Sequence, residues 1–228
     1  MQNEHVKPTG AESAADNDLL EVWTRIDDAT ASKGPVSKPI LENAIALLKS
    51  LLSAHSSAAR WYTLGYALYI HPDRISSELI QGQTQEAFRR ALALEPCFGH
   101  AWLYLGHHYY DLGLNHDALQ SFEKAATCPL PKYLALKLLE MKLCCEIARS
   151  GLTKAVPLVQ EFVDDAEGHP VQDIAPFELA KVLRERLPEA DEVTREALEP
   201  LLSKLDRVGH FRGWFADMPR SRDGCAPG

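Results

Sequence analysis

His100, His107 and Asp111 are the residues of this 228-residue chain whose types and spacing come nearest to a metal site. Seven and eleven positions apart, they share one face of a helix, and His107 with Asp111 has the one-turn spacing of many ligand pairs. His100 and His107, however, are two turns apart, about 10 Å along the axis, so one ion needs help from another helix. No metal and no cofactor is expected. Nucleophilic and phosphate-binding signatures are also absent: there is no Gly-x-Ser-x-Gly, no Gly-x-x-x-x-Gly-Lys, no His-Glu-x-x-His and no Gly-x-Gly-x-x-Gly. Asp164, Asp165, Glu192 and Glu196 fall on polar helical faces, where solvated charge explains them. The expectation is a protein with no catalytic residues, a metalloenzyme being the alternative. Five cysteines, at 97, 128, 144, 145 and 225, form an odd set without Cys-x-x-Cys, against both a disulfide framework and structural zinc. Four read as small buried apolar residues. Cys225-Ala-Pro-Gly, at the fourth position from the end, matches a prenylation signal poorly.

The elements that must position these residues are helices. Apolar residues make up 46% of the chain and charged residues 25%, the balance of a globular domain with a sizeable core. The formal charge of -8 leaves no global positive field for nucleic acid or anionic lipid, and no apolar run reaches bilayer length, so neither partner is expected and the chain reads as cytoplasmic. Helical periodicity starts near Asp18 with Leu19, Val22, Trp23 and Ile26, and resumes from about Ile40 with Leu41, Ala44, Ile45 and Leu48. Further helices are expected at about 58–70, 83–94, 99–112, 115–127, 132–149, 153–166, 175–186 and 190–207. Pro72, Pro96, Gly113, Pro129, Pro131, Gly151, Pro170 and Pro188 mark the breaks. Turns this short join antiparallel neighbours. Residues 1–16 read as a flexible tail, 17–215 as one helical domain and 216–228 as a second flexible tail. Gly209 to Phe215 is expected to fold back as an apolar cap.

The helices repeat. Trp102, Leu105, Gly106, Tyr109, Ala118, Phe122 and Ala125, with Pro129 and Pro131 behind them, resemble a tetratricopeptide repeat. Trp61, Leu64, Gly65, Phe88, Ala91 and Pro96 repeat the pattern. From Trp to Phe is 20 residues in the later copy and 27 in the earlier, and the two Trp are 41 apart, so a single seven-residue insertion between Tyr69 and Thr84 accounts for the distances. A weaker copy includes Trp23 and Ile26, with Leu47, Ser50 and Leu51 on its second helix. A degenerate one places Leu143, Cys144 and Ile147 at the Leu, Gly and Tyr positions and Glu140 at the Trp position. The two clear repeats span about 57–131. The resemblance implies an all-α, right-handed superhelical solenoid of antiparallel helix pairs, in which the small residue lets paired helices approach and the large ones fill the space between pairs.

In proteins of that family the first helix of each pair lines a concave groove, with groove residues one, five and eight positions after the Trp. Here these are Tyr62, Tyr66 and Tyr69, then Leu103, His107 and Tyr110, joined by His100. The resemblance implies a protein- or peptide-binding adaptor with a Tyr/His-lined groove, working by apolar burial and tyrosine hydrogen bonds. The competing expectation is that these rings pack against the chain's own helices. Chaperone-tail clamps of the family carry Lys and Asn where this chain has Tyr62 and Tyr66, so that partner is excluded. A dedicated chaperone or an immunity-type inhibitor of one partner is the alternative role. His71-Pro72-Asp73 resembles the signature of J-domain co-chaperones, but Trp61 to Ile70 lacks the basic residues such a domain carries. The tripeptide is therefore expected to stop a helix and cap a short turn.

Overall fold

The computed structural model describes residues 14–30, 35–168 and 178–216. Ten α-helices, one short 3-10 turn and no strand are found among the described residues: α1 (Ala14–Thr30), α2 (Lys38–Ala54), α3 (Ala58–Tyr69), α4 (Glu78–Leu94), α5 (Gly99–Asp111), α6 (Asn115–Ala126), α7 (Lys132–Ser150), α8 (Leu152–Gly168), α9 (Glu178–Arg186) and α10 (Glu192–Ala216). The expected helices are present, and the chain divides into two compact units between Leu130 and Pro131. None of the helices among the described residues is long and apolar enough to cross a membrane.

The first unit stacks the hairpins α1/α2, α3/α4 and α5/α6. Its clear repeats close as their signatures require. A Cβ added to Gly65 would lie 2.7 Å from the Phe88 ring, and one added to Gly106 would lie 2.5 Å from that of Phe122. Both distances are below any real Cβ contact, so only glycine lets the paired helices meet here. Gly113, at φ +74°, makes the turn between α5 and α6 in the left-handed region. Trp61 and Trp102 are only half-buried, contrary to a purely space-filling role. Each indole N–H pins the preceding loop, on the Ser56 hydroxyl at 2.8 Å and on the Pro96 carbonyl at 2.9 Å. In the weaker upstream hairpin, Leu41, Ala44, Ile45 and Leu48 of α2 are buried, whereas Leu47 is half-buried and Ser50 exposed. The packing register is therefore one residue away from the expected one.

The seven-residue insertion divides between loop and helix. α4 begins at Glu78, ten residues before Phe88, rather than near 83; Ser77 caps it by accepting the Ile80 N–H. The remainder forms a turn tied to both sides. Asp73 meets Lys38 of α2 at 2.6 Å, and Arg74 meets Asp111 at the end of α5 at 2.6 Å.

The second unit packs α7 on α8 and α9, with α10 against α8 and α9. Gly151 repeats the role of Gly113 at φ +83°. Leu143, Cys144 and Ile147 are buried, as their alignment with the repeat requires. Glu140, at the position of the missing Trp, is buried and does different work. It accepts the Leu179 N–H at 2.9 Å, satisfying the start of α9, and pairs with Lys137 at 2.9 Å. The backbone of α10 runs helical through Pro200 to Ala216, so Gly209 to Phe215 extends the helix instead of folding back. The expected tails, apart from the residues at their inner ends, lie outside the described residues, as does Cys225.

Candidate functional site

The α3 stripe is divided by depth. Tyr62 and Tyr66 are 1% and 2% exposed. Trp23 of α1 packs on both, with centroids 6.3 and 5.5 Å away, Phe98 meets Tyr62 in a tilted contact at 4.9 Å, and Tyr104 meets Tyr66 edge-on at 5.0 Å. The rings expected on an open groove are thus interior, because α1 supplies a Trp of its own to the space they face. His100 and Leu103 are buried too. Burial holds the His100 imidazole below its ordinary pKa, and its Nε2 has no hydrogen-bond partner, so the ring is a neutral packing element. These four positions follow the packing expectation.

Tyr69, His107 and Tyr110 remain half-exposed. Between them sits Tyr104, also half-exposed, with ring centroids 5.6 Å from Tyr69 and 6.0 Å from His107. Tyr104 belongs to the same helical stripe, since His100, Tyr104, His107 and Asp111 follow one another at four, three and four residues. The half-exposed row therefore runs from the end of α3 along α5.

One end of the row is fixed by a polar cluster that the sequence did not announce. Arg74, 7% exposed, donates from Nε to the Tyr69 carbonyl at 2.6 Å and from Nη2 to Asp111 at 2.6 Å, while its guanidinium lies 4.3 Å from the Tyr69 ring centre. The Tyr69 hydroxyl donates to the same Asp111 oxygen at 3.1 Å. Burial, then the Asp111 charge, raises the Tyr69 pKa, keeping the phenol protonated. Arg74 Nη1 also lies 3.4 Å from His108 Nδ1. His108 is fully buried under this insertion; burial and the Arg74 charge push its pKa down to about 4. His116 is exposed.

The same cluster settles the geometry of the other sequence signals. Asp111 is committed to Arg74 and Tyr69, His100 is buried and His107 half-exposed; no group of three His, Cys, Asp or Glu side chains converges among the described residues. His71 is turned inward, its Nδ1 accepting the Asp73 N–H at 3.2 Å and its Nε2 3.9 Å from Glu42, so the His-Pro-Asp turn is engaged within the chain. Of the cysteines, Cys144 and Cys145 are buried as expected, with thiol pKa values pushed up by burial. Cys97 is exposed and Cys128 half-exposed, because both lie in the loops at the open end of the α5/α6 hairpin.

A second concavity lies on another side of α3. A groove of about 650 Å³ is floored by Trp61, Leu64 and Leu68 and walled by Leu52 of α2 and Leu79 and Gly82 of α4, with Lys49, Glu78 and Glu86 at its rim. Leu79 is 71% exposed there.

No family model and no curated protein matches the sequence. Solved structures do. A MamA crystal structure superposes with a TM-score of 0.56 at 10% identity over 90% of this chain and 99% of the other. A crystal structure of YrrB, described as a TPR protein with an unusual peptide-binding site, gives 0.53 at 17% identity over 90% and 98%. Another MamA structure gives 0.51 at 20% identity, over 68% of this chain and 74% of that one. The fold is that of a tetratricopeptide-repeat protein. Within that fold, Gly65 and Gly106 allow the close helix contacts, Gly113 and Gly151 make left-handed turns, and Arg74 ties the inserted turn to Asp111.

Proposed function

We propose that this tetratricopeptide-type chain is a non-enzymatic, cytoplasmic adaptor that holds a protein or peptide segment against the half-exposed row Tyr69, Tyr104, His107 and Tyr110. The observation that carries the reading is the row itself: Tyr69, Tyr104 and His107 are in ring contact across two helices, with Tyr110 half-exposed further along α5, and the buried Trp23, Tyr62 and Tyr66 layer backs them. A preordered aromatic surface gives large contact area at low entropic cost, and phenol and imidazole edges supply hydrogen bonds at its border. The peptide-binding site named for YrrB supports the class of ligand.

The groove beside Leu79 favours a second location. Its apolar floor and the two carboxylates Glu78 and Glu86 at the rim suit an apolar segment carrying Lys or Arg. Selection of random peptides against the full chain, followed by fluorescence anisotropy of recovered peptides, tests both. Tyr104→Ala with Tyr110→Ala is expected to weaken binding at least tenfold, about 1.4 kcal/mol, with the fold intact by circular dichroism. Loss confined to Leu79→Asp moves the site to the groove. Recovery of no peptide, or indifference to both variants, rejects the adaptor reading.

A further inference from the structure

Two loops meet at the open end of the α5/α6 hairpin, where the first is braced by α5 and packs against the second. The Trp102 indole fixes the Pro96 carbonyl at 2.9 Å. Gly99 packs so closely on the other loop that an added Cβ would stand 2.7 Å from the Pro129 carbonyl and 2.9 Å from Leu130. Between these contacts, Cys97 Sγ lies 3.9 Å from the carbonyl of Thr127, and its thiol is within hydrogen-bonding reach of Cys128. Both thiols are free, and both reach solvent. A pair of thiols apposed by rigid neighbours can close without large backbone movement.

We infer that Cys97 and Cys128 form a reversible disulfide-forming site that takes a small-molecule disulfide as oxidant and covalently closes the α5/α6 repeat. With glutathione disulfide, the thiolate of one cysteine attacks a glutathione sulfur, forming a mixed disulfide and releasing one glutathione thiolate. The second cysteine, deprotonated to solvent, then attacks the protein sulfur of that mixed disulfide and expels the second glutathione. Two protein thiols are oxidised, one glutathione disulfide is reduced to two glutathione molecules, and the protons balance. The closed loop contains both helices of the hairpin, so the unfolded chain loses freedom that the folded chain has already given up. The Cys128 thiol and, after burial, the Glu95 carboxylate hold Cys97 above the usual thiol pKa.

The test is incubation of the full chain with glutathione disulfide, then non-reducing proteolysis and mass spectrometry. The expected product is a peptide pair bridged between 97 and 128, two hydrogens lighter than the thiols, formed equally in Cys225→Ser protein and reversed by dithiothreitol. The bridged protein should melt higher by on the order of 5 °C. Cys97→Ser protein should stop at a glutathione adduct on Cys128. A bridge from Cys97 to Cys225, stable adducts on both cysteines of the unaltered chain, or no reaction at either while added exposed-thiol peptide reacts, would overturn the assignment.

Discussion

At the scale of single residues, the decisive groups are polar side chains enclosed by the fold. His108 is the clearest. Burial, and then the Arg74 charge, lowers its folded-state pKa to about 4, so the unfolded chain binds the proton first as pH falls. Stability is therefore complete above the ordinary histidine pKa of about 6.5 and drains away as pH drops toward 4, with His100 adding in the same direction. Urea unfolding at pH 7.5 and 4.5 should show a loss on the order of 2–3 kcal/mol attributable to His108, and His108→Gln should flatten that difference. Glu140 makes a different kind of demand. Its carboxylate is the acceptor for the Leu179 N–H, so Glu140→Ala orphans a buried donor and should cost about 2 kcal/mol in the urea midpoint at unchanged m. Glu140→Gln, which keeps an acceptor oxygen, should recover much of that. Neither residue was legible beforehand in this role. Periodicity says that a position faces inward, but it does not say which polar group from a distant element will meet it there.

At the scale of helices and hairpins, the sequence was informative wherever packing leaves one residue type as the solution. Gly106 faces Phe122, and Gly65 faces Phe88, at distances that exclude a methyl group, which is why both copies keep a glycine opposite a phenylalanine even though seven more residues separate them in the earlier copy. Gly106→Ala should gain about 1 kcal/mol of helix propensity and lose about 1–3 kcal/mol to overpacking, a net fall in melting temperature measurable by circular dichroism. Gly82, whose added Cβ would meet open space, supplies the control: Gly82→Ala should raise stability. The same reasoning located the seven-residue insertion and failed to describe it. Chain arithmetic gives the number of extra residues. It cannot reveal that part of them would lengthen α4 or that Arg74 would reach Asp111, because that reach depends on where α5 ends relative to the turn. The groove residues failed for a related reason. Tyr62 and Tyr66 were placed on the correct face of α3, but a face is open only if the preceding hairpin leaves it so, and here Trp23 fills the space.

At the scale of the whole molecule, the partition between Leu130 and Pro131 makes a fragment ending at residue 130 the natural test of autonomy. Residues 14–130 contain three complete hairpins whose helices contact one another in sequence. This fragment is expected to give a helical far-ultraviolet spectrum and a cooperative thermal transition; a noncooperative melt would show that it depends on the rest of the chain. The contrasting burial of the indoles gives this unit an internal optical gauge. Trp23 is 1% exposed and enclosed by tyrosines, whereas Trp61 and Trp102 border solvent. A small neutral quencher will therefore dim the red edge of the emission first and leave a blue residue from the sheltered ring. Any ligand or oxidant that loosened α1 from α3 would announce itself by bringing that sheltered light within the quencher's reach.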